Sequence, residues 1–287
     1  MNASPIVYLN GQFMPSDEAK ISVLDRGFIY GDGVYEVVPV YARQTFRMPE
    51  HLRRLQNSLD GIRLANPMTA AQWGDVIGEM IARQPFENQG VYLQVTRGVA
   101  KRDHAFPVGV PPTVFMMSNP LVLPSAEQVK RGVAVVTAED NRWLRCELKT
   151  VSLLGNVLMR QLAVDAGALE TVMFRDGFLT EASASNVLAV IDGVIVAPPK
   201  DHHILPGITY DATLEFARAA GLRLEIRPVT RAETLGADEL WLSSSTKEVL
   251  AITTVDGKPF AGGAPGPVFR KIWDVFQAHK PKAKVAA

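Results

Sequence analysis

Many short stretches of the chain show one of two patterns. In some, apolar and polar residues alternate, and in others apolar residues follow one another in a short run. Such stretches are typical of β-strands. Four dipeptides suited to tight hairpin turns lie between apolar runs, at Asn10-Gly11, Asp176-Gly177, Asp192-Gly193 and Asp256-Gly257. Further strands are predicted at residues 34–41, 91–97, 113–118, 133–137, 222–227 and 239–242. The pattern therefore predicts a chain rich in antiparallel hairpins.

Longer apolar stripes with helical spacing separate these strands. The first carries Leu52, Leu55, Leu59 and Ile62 on one face. Helices are predicted at residues 50–64, 69–83, 153–166, 209–220 and 268–278. Because strands and helices do not alternate regularly, the pattern favours an α+β fold over a doubly wound sheet.

Chain length indicates more than one hydrophobic core. The chain has 287 residues, of which 47% are hydrophobic, and single cores stop growing at roughly 250 to 300 residues. A stretch with two prolines and no periodicity begins at residue 119. We therefore predict an N-terminal α+β domain at residues 1–118, a linker at 119–131 and a C-terminal domain at 132–287. A disordered tail is predicted from His279 onward.

Charge and cysteine content exclude several classes of function. Thirty basic residues balance thirty acidic residues, so no overall field attracts nucleic acid or an anionic membrane. No apolar run approaches the roughly 18 residues that a membrane-spanning helix needs. The single cysteine, Cys146, excludes an intrachain disulfide and a multi-cysteine metal site. We expect a soluble cytoplasmic protein that binds small molecules or another copy of itself, with no metal.

Lys149 is the candidate for covalent chemistry. It lies just before the predicted helix at 153–166, whose Leu153, Leu154, Leu158 and Leu162 are spaced close to one face and are expected to be buried. A partly desolvated lysine loses its preference for the charged form, which makes the free amine available as nucleophile and base. The alternative is a lysine that packs its stem on the core edge and keeps its ammonium group in water.

Three further places could bind an anion such as phosphate. Thr209 is predicted to be the N-cap of a helix, after Gly207 and Ile208, where free backbone N–H groups favour anions. Ser245 belongs to a hydroxyl cluster that ends a strand and is expected to begin a short helical piece. Arg54 has the helical phase that directs a guanidinium inward. The alternatives are a well-capped helix, a polar turn and a surface arginine.

A second group of polar residues could contact a ligand. Glu181 lies among small residues that let a flat ligand approach closely, Arg102 and His104 share an irregular basic loop, and Tyr35 begins a strand after a glycine-rich turn. Arginine binds a carboxylate through two parallel hydrogen bonds, and a protonated histidine adds a charged donor. The alternatives to ligand binding are that Glu181 is a solvated acid, that Arg102 and His104 belong to a basic surface loop, and that Tyr35 is a core residue.

Seven ordered blocks of sequence resemble one family, the class IV (fold-type IV) pyridoxal-phosphate-dependent aminotransferases. The blocks are DRGFIYGDGVYEV from Asp25, HLRRL from His51, YLQVTRGVAKRDHAFP from Tyr92, RWLRCELKTVSLLGNVL from Arg142, TEASASNV from Thr180, ILPGIT from Ile204 and SSSTKEV from Ser243. Within the family, the chain is most similar to the D-amino acid (D-alanine) aminotransferases. The resemblance implies a smaller N-terminal α/β sandwich and a larger C-terminal pseudo-barrel domain that binds the cofactor.

Residue roles follow from the resemblance by position. Lys149 matches the Schiff-base lysine, and Glu181 matches the partner of the pyridine nitrogen of pyridoxal 5'-phosphate. The phosphate cradle matches Arg54, Ile208, Thr209 and Ser245, and the site for the substrate carboxylate matches Tyr35, Arg102 and His104. The Arg-x-His pair is a feature of the D-specific subgroup. The resemblance also implies a homodimer in which the substrate loop completes the site of the neighbouring subunit.

Other interpretations stay open on the sequence. Within the same fold these are an aminodeoxychorismate lyase, a branched-chain L-amino acid aminotransferase and an (R)-amine transaminase. A protein that binds pyridoxal phosphate without catalysis is a further alternative. The expected substrates under the favoured interpretation are a D-amino acid and a 2-oxo acid.

Overall fold

A computed structural model describes residues 4–283 of the chain, which form two compact units. Among these residues, the first unit comprises 4–122, 148–153 and 281–283, and the second comprises 123–147 and 154–280. The short segment Leu148–Leu153, which contains Lys149, thus belongs to the first unit although it is flanked on both sides by the second. The domain boundaries proposed from the sequence treat this segment as part of the C-terminal domain, and they stay a prediction.

In the described part of the first unit, six antiparallel strands form one sheet in the order β2-β1-β6-β5-β3-β4. The strands are β1 (Ile6–Leu9), β2 (Gln12–Pro15), β3 (Gly33–Tyr41), β4 (Gln44–Thr45), β5 (Gln89–Thr96) and β6 (Thr113–Pro120). The helices of this unit are α1 (Arg26–Tyr30), α2 (Met48–Gly61) and α3 (Ala70–Ala82).

The core of the first unit lies between this sheet and helices α2 and α3. Val34 and Val38 of β3 are fully buried. They lie on the same face of the strand, because side chains of a strand alternate between its two faces. They pack in one cluster with Leu55 and Leu59 of α2 and with Trp73 of α3. Glu36 lies on the same alternating set of β3 positions and is also fully buried.

In the described part of the second unit, nine strands form a mixed sheet. Eight follow the order β12-β11-β10-β13-β14-β7-β8-β9, and β15 pairs with β14. The strands are β7 (Val133–Glu139), β8 (Glu170–Arg175), β9 (Phe178–Ala182), β10 (Asn186–Ile191), β11 (Val194–Ala197), β12 (Leu224–Ile226), β13 (Glu239–Ser244), β14 (Glu248–Val255) and β15 (Lys258–Pro259). The helices are α4 (Ala126–Arg131), α5 (Leu154–Asp165), α6 (Ile208–Ala219), α7 (Arg231–Leu235) and α8 (Pro267–His279).

The predicted hairpins are confirmed, and so is the α+β class. Both residues of each turn dipeptide have positive φ, for example 47° at Asn10 and 96° at Gly11. Asn, Asp and Gly adopt this left-handed conformation more readily than other residues. The strands on either side of each turn pair directly.

Two expectations about helices are wrong, and one helix was not predicted. The predicted buried face of α5 is wrong, because Leu154 is 72% exposed and Leu158 57% exposed, whereas Met159 and Ala163 are the buried residues of this helix. The helix that was not predicted is α4, which lies within residues 119–131 and starts at a capping box formed by Ser125 and Gln128. His279 ends α8 instead of beginning a tail, and residues 284–287 of that predicted tail lie outside the described residues.

Among residues 4–283, no helix combines the length and apolar character needed to cross a membrane.

Candidate active site

Lys149 is fixed through its backbone to strand β3 and helix α2. Its carbonyl oxygen accepts a hydrogen bond from Tyr35 N at 2.9 Å, and its N–H donates to Ser58 Oγ at 3.1 Å. The next residue, Thr150, forms an isolated bridge with Val34. The lysine therefore lies on a short extended segment held against β3, before α5 begins, and its side chain is half-buried.

The amine of Lys149 faces an aromatic ring. Its Nζ atom lies 4.2 Å from the centroid of the Tyr35 ring. This ring stacks on Tyr92 of β5, with 5.5 Å between centroids and an interplanar angle of 27°. The structure thus brings two of the predicted residues, Lys149 and Tyr35, into direct contact.

Arg54 points inward, as its helical phase predicts, while the neighbouring Arg53 is exposed. Its Nε donates to Glu36 Oε2 at 2.9 Å, and its second contact, from Nη2 to Glu36 Oε1, is 2.6 Å long. His51 Nδ1 lies 3.0 Å from the same Oε1. Burial alone would raise the pKa of Glu36, but the charge of Arg54 and the hydrogen bond from His51 hold it well below its usual range. A carboxylate of this chain therefore orients the guanidinium that the resemblance assigns to phosphate.

Glu36 and His51 were missed by sequence reasoning. The signal was available, because Glu36 follows Tyr35 on a strand and must point to the opposite face, toward α2. An acidic residue in that position needs a buried partner, and Arg54 on the facing helix supplies it.

Arg102 and His104 are exposed on the loop after β5, and both lie against Tyr30 of α1. The Arg102 guanidinium is 5.4 Å from the centroid of the Tyr30 ring, and the His104 ring is 5.5 Å from it. The structure brings these two predicted residues together through Tyr30, whereas Tyr35 contacts Lys149 instead.

Glu181 is buried at the end of β9, not solvated. Its Oε1 accepts a hydrogen bond from Arg142 Nη1 at 2.7 Å, and its Oε2 accepts from Leu205 N at 3.1 Å and Asn186 Nδ2 at 3.2 Å. Burial raises the pKa of Glu181 to about 7, although the charge of Arg142 acts in the opposite direction. This acid can therefore gain or lose a proton near neutral pH.

Arg142 and Asp140, which hold Glu181, were not predicted. Arg142 donates to both oxygens of Asp140, from Nε at 2.9 Å and from Nη2 at 2.8 Å. Burial would raise the pKa of Asp140, but the hydrogen bond and charge of Arg142 lower it to about 2. Arg142 opens the same sequence block as Lys149, so its position in that block was the only signal.

Helix α6 starts one residue earlier than predicted, and the N-cap assignment of Thr209 is wrong. The N-cap is Gly207, and within the described residues no side chain makes a capping hydrogen bond there. A Cβ at Gly207 would collide with Asn186 Oδ1, which explains why a glycine replaces the usual capping residue. Ile208 and Thr209 are the first two helical residues, and both are buried.

Asn186 joins three parts of the second unit. Its Nδ2 donates to Glu181 and, at 2.9 Å, to Leu205 O just before α6. On its other side it is the cross-strand partner of Ser243. The Oγ of Ser243 is buried and, among the described residues, has no hydrogen-bond partner.

Ser245 lies in the turn between β13 and β14, so the predicted short helical piece at this position is wrong. It is half-buried. The turn follows directly on the strand that carries Ser243.

One cluster could coordinate a cation by ligand type alone. Asp201, His202 and His203 place potential ligand atoms within 4.8 Å of one another, but Asp201 and His202 are exposed. Exposed acidic groups of this kind are common without a bound ion. We assign no metal to this cluster.

The residues fit pyridoxal phosphate by the chemistry of their donor groups. The first unit presents a half-buried amine on an aromatic ring. The second unit presents a buried acid with a pKa of about 7 and the start of α6, together with a Ser243 hydroxyl that no group in residues 4–283 engages. The amine suits the aldehyde of the cofactor, and the acid suits its ring nitrogen. The start of α6 and the Ser243 hydroxyl suit its phosphate.

Comparison with known proteins gives the family. The model of the family described as amino-transferase class IV matches residues 33–255, which is more than half of the chain. The chain belongs to the class IV aminotransferases. It is accordingly a pyridoxal-phosphate-dependent enzyme that acts on an amino acid and a 2-oxo acid.

Curated relatives cover nearly the whole chain. The D-alanine aminotransferase of Bacillus licheniformis is 38% identical over 271 residues, covering 94% of this chain and 95% of the relative. The D-alanine aminotransferase of Staphylococcus haemolyticus is 35% identical over 274 residues, covering 95% and 97% respectively.

Solved structures share the fold. The branched-chain aminotransferase of the archaeon Thermoproteus uzoniensis, solved with norvaline, superposes with a TM-score of 0.84 at 26% identity, over 96% of this chain and 94% of the other. The Escherichia coli branched-chain amino acid aminotransferase has a TM-score of 0.90 at 24% identity, over 96% and 94%, and bears on the fold alone. The fold-type IV prediction is therefore confirmed.

Proposed function

We propose that this enzyme transfers the amino group of a D-amino acid, such as D-alanine, to a 2-oxo acid. The observation that carries the proposal is the Arg102-x-His104 pair, whose two side chains lie exposed together on one loop, against one tyrosine ring. The relatives named D-alanine aminotransferase, at 35% to 38% identity, support the same substrate class. The branched-chain aminotransferases of known structure are less similar in sequence.

The proposed residue roles divide between cofactor and substrate. Lys149 forms the covalent bond to the cofactor, and Glu181 accepts a hydrogen bond from the ring nitrogen of the cofactor. Arg102, His104 and Tyr35 bind the α-carboxylate of the substrate. The groups proposed to bind the cofactor phosphate are Arg54, Ile208, Thr209 and Ser245.

When bound, pyridoxal phosphate supplies an aldehyde that takes up the amino group and a ring that accepts the electrons left by the departing α-proton. Lys149 Nζ accepts that proton as a general base and later returns it as a general acid. Arg142 and Asn186 hold the Glu181 carboxyl in one orientation. By fixing the carboxylate, Arg102 and His104 decide which hydrogen of the α-carbon faces the amine.

We also propose a homodimer in which the loop of Arg102 and His104 completes the neighbouring subunit's site. Supporting this, helix α5 carries an exposed apolar face of Leu154, Val157, Leu158 and Leu162, which association would cover. We propose a cytoplasmic location on the strength of the single cysteine, Cys146, which is free and buried.

The direct test is to incubate the enzyme with D-alanine and 2-oxoglutarate and to identify the products. We expect pyruvate and D-glutamate, and no comparable reaction with L-alanine or L-valine. Activity with L-valine alone, or with aminodeoxychorismate alone, would reject the D-amino acid assignment. A protein that binds the cofactor, is yellow and shows no spectral change with any amine donor would be a binding protein without catalysis.

A further inference from the structure

Arg26, at the first position of helix α1, has a buried guanidinium. The residue is only 4% exposed. The helix start is itself anchored, because the N-cap Asp25 accepts hydrogen bonds from Thr96 Oγ1 at 2.8 Å and Thr113 Oγ1 at 2.6 Å. A buried guanidinium must direct its N–H groups at fixed acceptors, since leaving them unpaired is costly.

Most of those acceptors belong to the loop that carries Arg102 and His104. Arg26 Nη1 donates to the carbonyl oxygens of Asp103 at 2.5 Å and Ala105 at 3.3 Å, and Nη2 donates to that of His104 at 3.5 Å. Three consecutive carbonyls thus point at one guanidinium. The loop backbone must curve around Arg26 to achieve this, which fixes the conformation on both sides of His104.

The side chains of the same loop contact the last residue of α1. Tyr30 has the guanidinium of Arg26 over its ring at 4.8 Å and that of Arg102 at 5.4 Å, and the His104 ring lies 5.5 Å away. Two residues of one short helix therefore contact the loop. Arg26 binds the loop backbone, and Tyr30 lies against the side chains of Arg102 and His104.

Asp32 pairs with the guanidinium of Arg26 and with that of Arg97. Its Oδ2 accepts from Arg26 Nε at 2.8 Å and from Arg97 Nε at 2.9 Å. Arg97, which follows β5, also donates to Ile62 O at 2.7 Å. Burial would raise the pKa of Asp32, but the hydrogen bonds and charges of Arg97 and Arg26 lower it, so the carboxylate stays ionised.

We propose that Arg26 is a positioning residue for substrate specificity: it shapes the 102–105 backbone so that Arg102 and His104 are presented together to an α-carboxylate. Arg26 itself does not touch the substrate and acts through the loop. The inference rests on the proposed use of amino acids bound through Arg102 and His104.

The test compares Arg26→Lys with a matched control, Arg43→Lys. Lysine keeps the charge at position 26 but loses the planar fork that reaches three carbonyls. Arg43 lies in the same unit and likewise donates to backbone carbonyls, those of residues 81, 82, 84 and 86, but not to the loop. We expect Arg26→Lys to raise KM for D-alanine between about 10-fold and 100-fold with little change in kcat, because misplacing binding groups by about 1 Å has effects of this size. Arg43→Lys should leave both constants unchanged.

A double-mutant cycle separates positioning from general damage. If Arg26 acts through the loop, its substitution should lower kcat/KM much less in an Arg102→Ala background than in the unmodified enzyme. Equal effects of Arg26→Lys in both backgrounds would overturn the proposal, as would an unchanged KM for D-alanine in the single variant.

A readout that does not depend on substrate is hydrogen exchange of residues 99–108 in the holoenzyme. We expect faster exchange in Arg26→Lys, and in Asp32→Asn if the lysine variant does not fold, but not in Arg43→Lys. Unchanged exchange in the position 26 and 32 variants would overturn the proposal. If the unmodified enzyme does not use D-alanine, the proposed function fails, and that result is distinct from the exchange measurement.

Discussion

Two side chains, Lys149 and Glu181, show how surroundings select chemistry at the residue scale. The amine of Lys149 is held by its backbone and lies on the face of Tyr35. Glu181 is buried yet bonded to Arg142, Asn186 and a backbone N–H. The first arrangement fixes the position of the amine. In the second, burial raises the pKa of the acid to about 7.

The raised pKa of Glu181 has a consequence for stability. An acid whose folded-state pKa is raised binds its proton more tightly when folded, so its contribution is present at low pH and is lost as pH rises. In cofactor-free protein, the stability of Glu181→Gln relative to the unmodified protein should therefore increase between pH 4.5 and about pH 7. From a shift of this size we expect an increase of about 1 to 3 kcal/mol, measured by urea unfolding at a series of pH values.

Glu170 provides the control for this prediction. It is also buried in the second unit, and burial would raise its pKa, but the charge and hydrogen bond of Lys247 lower it. Its contribution is therefore lost only as pH falls below the usual range of a glutamate. The difference between Glu170→Gln and the unmodified protein should be flat above about pH 5.5. The same slope in both variants would contradict the environment assigned to Glu181.

At the scale of elements, strand β3 serves two functions through its alternation. Tyr35 faces Lys149, and the next residue, Glu36, faces the opposite way into helix α2, where it pairs with Arg54. A shift of one residue in the register of β3 would exchange these faces. The pairing of β3 with β5 over eight residues makes such a shift unfavourable.

The start of helix α6 depends on a close approach between Gly207 and Asn186. Alanine at position 207 would force Asn186 to move, and Asn186 also holds Glu181 and Leu205 O. We expect Gly207→Ala to lower the free energy of unfolding by about 1 to 3 kcal/mol. Gly78→Ala, on an exposed position of α3 with open space around it, should instead raise it by about 0.5 to 1 kcal/mol. A neutral Gly207→Ala variant would mean that the N-cap does not depend on this contact.

The sequence predicts those features of an element that depend on neighbouring residues. It does not predict those that depend on residues far away in the chain. The hairpin turns are local, and the left-handed preference of Asn, Asp and Gly fixes them. The N-cap of α6 is not local, because Asn186, some twenty residues away, excludes a side chain at Gly207. The stripe on α5 was visible, but periodicity does not tell whether the same chain covers it, and Leu154 and Leu158 are exposed.

At the scale of the whole molecule, the chain crosses between its two units more often than its sequence indicates. Residues 148–153 belong to the first unit, whereas Arg142 and α5 on either side belong to the second. No change in composition marks residues 148–153 as part of the first unit. The neighbours of Lys149 and the family resemblance therefore identified this residue, but they did not show to which unit it belongs. The site residues of the two units were named together from the resemblance, and their contacts with Glu36, Arg142 and Asn186 came from the structure.

We propose above all that the amine of Lys149 carries the cofactor. The most direct measurement is to reduce the resting holoenzyme with borohydride, digest it and map the peptides by mass spectrometry. We predict a phosphopyridoxyl label on Lys149 and on no other lysine. A label on a different lysine, or an unlabelled Lys149 in a protein that has lost its visible absorption, would contradict this claim.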